Sequence, residues 1–145
     1  MWQAVRRVAR HGACPLLLVP ADLREIHRVM IACSGSNASA AALRQFAQLR
    51  IWPEAEIEVV SLADDTQETT AVLHAAGEYL CAHGISAQLT PLPGRQASAI
   101  FARAREQRAD LVVAGAGFRR SDHDGSSQAI LAELVEQEDL PLFIG

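Results

Sequence analysis

The sequence predicts an α/β fold, an open, doubly wound parallel sheet of five strands with helices on both faces. Three observations predict it. Short, nearly continuous apolar runs alternate with segments of helical apolar spacing through residues 28–145. Strands buried on both faces read as such runs, and the intervening segments are long enough for right-handed crossover helices. Alanine-rich helices and only 5% aromatic residues suit helices packed close to a sheet.

The elements follow in order. Val29-Met30-Ile31-Ala32-Cys33 is the first strand of this unit. Ser34-Gly35-Ser36-Asn37 then forms a turn and helix N-cap, and Leu43, Phe46 and Leu49 mark the apolar side of the helix. Ile57 to Leu62 is the second strand, and Asp64-Asp65 caps a helix over about 67–83, stopped by Gly84. Ala87 to Thr90 is a weaker third strand, ended by Pro91 and Pro93. A third helix covers about 96–107, with Ile100, Phe101 and Ala104 as its apolar face. Asp110 to Ala114 is the fourth strand, leading into a glycine-rich loop. Ile130, Leu131, Leu134 and Val135 mark a fourth helix, and Pro141 to Ile144 closes with the fifth strand.

The chain has 145 residues, net charge −4 and 50% hydrophobic residues, which fits one folded domain rather than a disordered segment. All 13 basic residues are arginines. The missing lysine excludes Schiff-base chemistry and a lysine on a nucleotide phosphate. A mildly acidic chain argues against nucleic-acid binding, which needs a basic surface. Cys14, Cys33 and Cys81 are widely spaced with no C-x-x-C pair, so they read as free thiols of a reducing compartment. The run Leu16-Leu17-Leu18-Val19 is too short for a signal peptide, and Pro20 and Asp22 replace the cleavage site. No apolar run approaches the ~20 residues of a membrane span. A cytoplasmic location without a membrane partner is expected.

Residues 1–20 stand apart. Pro15 and Pro141 are 126 positions apart, and the same offset places Val5 on Leu131, Val8 on Leu134 and Ala9 on Val135. It also sets Leu16-Leu17-Leu18 on Leu142-Phe143-Ile144. A helix followed by a Pro-led strand therefore occurs twice. Short apolar matches also arise by chance, but the sharper interpretation makes residues 1–20 the end of a preceding copy, 21–27 a linker and 28–145 the domain. The strand at Leu16–Val19 is then expected to pair antiparallel with Leu142–Ile144 as an added edge strand.

The stretches Val29 to Ser36, Gly94, Ala109 to Gly115, Gly125-Ser126-Ser127 and Leu140 to Ile144 resemble the universal stress protein (UspA-type) family. The likeness implies strand order 3-2-1-4-5 and self-association or tandem pairing through the terminal strand Leu142–Ile144. It also implies a site for ATP or another adenine nucleotide, built by Ser34, Gly35, Ser36, Leu62, Gly94, Gly115, Gly117, Arg119, Arg120, Gly125, Ser126 and Ser127. Members that bind ATP carry Gly-x2-Gly-x9-Gly-Ser/Thr, whose glycines admit backbone N–H groups to phosphate. This chain departs from it. With Gly115 first, Phe118 stands where the second glycine belongs and Gly125 arrives three residues early. With Gly115 second, Val112 replaces the first. Ser34 also stands where the family usually has an acidic residue. The resemblance thus implies a regulatory, non-catalytic domain with a degenerate nucleotide loop, the alternative being a functional or weakly hydrolytic ATP site.

Arg119 and Arg120 could hold phosphate bidentately, or pair with Asp122 and Asp124 in a solvated loop. Asp122-His123-Asp124 is too local to surround a metal ion, so no metal site is expected. Ser34 lacks the Gly-x-Ser-x-Gly elbow of a hydrolase, and no catalytic residue is assigned.

Overall fold

Val29, Met30 and Ile31 are each at most 2% exposed because their strand lies inside the sheet, with helices on both sides. The structure is a computed structural model that describes residues 2–11, 14–62, 66–94, 97–116, 132, 135–136 and 139–145. Its elements are α1 (Trp2–His11), β1 (Leu16–Leu18), β2 (Arg28–Ala32), α2 (Asn37–Leu49), β3 (Glu56–Leu62) and α3 (Thr66–Ala82). They continue with β4 (Ala87–Leu92), α4 (Ala97–Glu106), β5 (Leu111–Ala114) and β6 (Leu142–Ile144).

The sheet order is β1-β6-β5-β2-β3-β4. All neighbours are parallel except β1, which runs antiparallel to β6 with Leu16 opposite Ile144, Leu17 opposite Phe143 and Leu18 opposite Leu142. The five-stranded order and the added antiparallel edge strand are therefore as the sequence and its resemblance implied. With β1 in place, the edge of β6 is already occupied within the chain.

Strand alternation divides the core between the two faces. Val29, Ile31, Val113 and Phe143 meet Leu43, Phe46 and Ala47 of α2 and Leu73 and Leu80 of α3. Met30, Val112, Leu142 and Ile144 meet Val5 of α1, Ile100 and Phe101 of α4, and Val135. Each large side chain so buried contributes about 1.5–3 kcal/mol. Val5 and Val135 pack in one cluster with Ala9 at its margin, whereas Val8 is 52% exposed; Leu131 and Leu134, the offset partners of Val5 and Val8, lie outside the described residues.

One element differs from expectation. β4 continues through Pro91, opposite Ser61, to Leu92, opposite Leu62. Proline lacks a ladder donor, but β4 ends the sheet order, so its outward side has no neighbouring strand to supply. The expected fourth helix lies mostly outside the described residues, within which 132 and 135–136 are helical.

Asp110 anchors the lower end of the sheet. Its Oδ2 accepts hydrogen bonds from the backbone N–H groups of His27 and Arg28, both at 2.9 Å, fixing the entry to β2.

Candidate functional site

The order of the strands reverses between β2 and β5, one of which continues towards β3 and the other towards β6. Ligands of such sheets bind beyond the carboxyl ends of the strands at this point. Two turns meet there, the one after β2 and the one after β5.

The β2–α2 turn is a closed hydroxyl network. Gly35 takes φ +80°, a conformation that favours glycine, and a Cβ there would stand 3.0 Å from Val72. Ser36 is the N-cap of α2, its Oγ accepting from Ser39 N–H at 3.1 Å. Ser34 Oγ donates to Ser36 Oγ at 2.9 Å and accepts from Ser36 N–H at 3.3 Å. Ser39, only 5% exposed, accepts from Ser34 N–H at 3.2 Å and donates to the Ser36 carbonyl at 3.0 Å. Among the described residues, the partners of these hydroxyls are one another and the backbone of the turn. Ser39 is absent from the candidates that the sequence suggests, although the spacing Ser36-x-x-Ser39 is a signal for it.

Gly115 lies directly against this turn. A Cβ at Gly115 would fall 2.4 Å from the Ala38 carbonyl carbon and 2.5 Å from Ser39 N. No side chain fits there, and the close approach of β5 to the first turn of α2 accounts for the glycine by packing alone. The exit of β5 is tied to the chain end, with Ala116 N–H donating to the Gly145 carbonyl at 3.0 Å.

The remaining candidates spread outward. Leu62 ends β3, half-buried in the cluster on the α4 face, one strand from β2. Gly94 follows β4, a further strand away, at φ +87°, and a Cβ there would meet nothing within 4 Å. The structure thus joins Ser34, Gly35 and Ser36 to Gly115, and leaves Leu62 and Gly94 on the far side of β2. Gly117, Arg119, Arg120, Gly125, Ser126 and Ser127 lie outside the described residues, as do Asp64-Asp65 and Asp122-His123-Asp124.

Cys33 underlies the turn. Burial pushes its thiol up to about 12, so it stays neutral and is neither a nucleophile nor a ready metal ligand at ordinary pH. Among the described residues, no three His, Cys, Asp or Glu side chains gather as metal ligands, and no helix is long and apolar enough to cross a membrane.

A buried ion pair supports the far side of the site. Glu58 of β3 is 9% exposed, and its Oε1 accepts from Arg103 Nε at 2.9 Å, Arg103 Nη2 at 2.7 Å and Thr90 Oγ1 at 2.7 Å. The hydrogen bond to Glu58 is the main cause raising the Arg103 pKa. An acidic residue inside the apolar run Ile57-Glu58-Val59 is the sequence signal for this network.

No protein-family model matches the chain, and no curated protein matches it. Solved structures do. A universal stress protein in complex with cAMP superposes with TM-score 0.65 at 17% identity, covering 84% of this chain and 98% of its own. A universal stress protein from Archaeoglobus fulgidus gives TM-score 0.71 at 21% identity, covering 96% of this chain but 52% of its own, so this chain spans about half its length. A family protein from Arabidopsis thaliana with AMP bound gives 0.62 at 14%, covering 81% and 90%. The chain has the universal stress protein fold.

Proposed function

We propose that this chain is a regulatory, non-catalytic stress-response module whose adenine-nucleotide site is degenerate. The observation that carries this is the turn at the switch point. Its serine hydroxyls are engaged with one another and with the first turn of α2, and Gly115 is filled against Ala38 rather than open to a ligand. Ser34 supplies no charge, and the glycine spacing after β5 satisfies neither register of the nucleotide motif.

A second reading is favoured by the neighbours that hold cAMP or AMP. In it the chain binds an adenine nucleotide, with Arg119 and Arg120 supplying the phosphate contacts that lysine cannot, and hydrolyses ATP weakly if at all. Titration calorimetry with ATP and magnesium, AMP and cAMP separates the two. The degenerate site predicts no saturable heat at micromolar nucleotide. Micromolar binding that disappears in Arg119→Ala/Arg120→Ala would overturn it in favour of the second.

A further inference from the structure

Among the described helices, α1 divides apolar from polar positions most sharply. Positions 3, 6, 7 and 10 follow the i, i+3, i+4, i+7 spacing of one helical stripe, and they hold Gln3, Arg6, Arg7 and Arg10. Trp2, Val5, Val8 and Ala9 fall on the other side by the same spacing. Three of the 13 arginines, but none of the 17 acidic residues, lie within residues 1–21. The acidity of the chain is therefore confined to residues 22–145, and α1 has no carboxylate of its own to answer its arginines.

The fold uses only part of this helix. Val5 is 5% exposed and fixes α1 to the α4 face of the sheet, with Ala9 at the margin of the same cluster. Ala4 and Val8, one turn apart, are exposed instead, Val8 by 52%. Gln3 and Arg7 form the exposed strip beside them, and Arg7 has no ion-pair partner among the described residues. Neither strip is used by the core.

We propose that α1 docks this domain reversibly onto an anionic lipid surface. Its arginines meet the lipid phosphates, Val8 and Ala4 enter the interface beside them, and Val5 keeps the helix on the fold. A basic stripe flanked by exposed apolar residues is the pattern of a helix that lies in such an interface. A polynucleotide would answer the arginines but offers nothing to Val8. The acidic remainder of the chain is repelled by the same lipid, which orients the domain with α1 towards it. The expectation of no membrane partner rests on the missing span, and a helix lying in the interface needs none. The proposal is independent of whether a nucleotide binds.

The test is co-sedimentation of the full chain with vesicles of phosphatidylcholine, alone or mixed equally with phosphatidylglycerol. Binding is expected to the anionic vesicles only, and to be lost as salt rises from about 50 mM to about 500 mM. Arg7→Gln should lower partitioning about fivefold, and Arg6→Gln/Arg7→Gln/Arg10→Gln about a hundredfold. Val8→Ser should lower it about fivefold through lost apolar contact. Gln3→Ala lies on the same stripe without changing its charge and should bind as the parent does. No binding to anionic vesicles at low salt, equal binding to phosphatidylcholine alone, or a loss in Gln3→Ala equal to that in Arg7→Gln overturns the proposal. Insensitivity to Val8→Ser would assign the arginines to a polynucleotide or another soluble polyanion, and overturns it as well.

Discussion

Gly115 and Gly94 are both sequence candidates for a ligand cradle, and their surroundings separate them. An alanine at 115 would drive its Cβ into the backbone of Ala38 and Ser39, which cannot rotate aside. Overpacking of this kind costs about 1–3 kcal/mol, and contact with backbone puts Gly115→Ala at the upper end. Gly94→Ala meets no atom of the described residues within 4 Å and bears the left-handed backbone cost, about 1–2 kcal/mol. Urea denaturation of the two variants should rank them in that order, and an equal loss would sink the packing account of Gly115. Cys33 gives a second residue-level expectation. Thiol labelling of the native protein should modify the exposed Cys14 and Cys81 quickly and Cys33 only on unfolding. The folded pKa of Cys33 is raised, so both states hold the proton below pH 9 and no stability is lost there. Between about 9 and 12 only the unfolded state releases it, so stability falls as pH rises through that window. Cys33→Ala should flatten that alkaline decline.

At the scale of elements, β3, β4 and α4 are fastened together by Glu58, Thr90 and Arg103. Arg103→Met would leave a largely buried carboxylate with Thr90 as its remaining described partner among these. Breaking such a pair costs about 3–5 kcal/mol when fully buried, and the residual exposure of 18% and 11% places this one nearer about 2–3. Replacing both partners, as Glu58→Leu/Arg103→Met, should recover most of the loss in chemical denaturation. Recovery of nothing would mean that the ion pair is not the fastening. The strands are legible in the sequence because burial on both faces leaves an uninterrupted apolar run, as in Val29 to Cys33 and Leu111 to Ala114. β4 reads short, since Pro91 stops an inner strand but not an outermost one, and the sheet order is not visible from a local window. The turn Ser34-Gly35-Ser36 is legible as a helix start, whereas the closure of its hydroxyls onto Ser39 depends on the fold of the turn. That Gly115 serves packing cannot be read at all, because Ala38 lies 77 positions away in the chain.

For the whole molecule, the sheet edge at β6 is held by a segment from the opposite end of the chain. Val5 of α1 is 5% exposed and closes the cluster that contains Leu142 and Ile144, while Leu16 and Leu18 pack against its margin. Deleting residues 1–20 removes these side chains and leaves the N–H and C=O groups of Leu142, Phe143 and Ile144 without their β1 partners. Two costs follow together, loss of apolar burial on the α4 face and an open apolar edge strand. The 21–145 protein should therefore melt at lower temperature and pair through β6, since a strand antiparallel to its own copy satisfies both edges by a two-fold. Light scattering at rising concentration should show a mass approaching twice that of the truncated chain, abolished by adding back a peptide of residues 1–20. A truncated protein that stays monomeric with an unchanged melting point would show that α1 and β1 merely rest on the sheet. Dimerisation would establish them as a built-in occupant of the edge, standing where the terminal strand of another unit would otherwise lie.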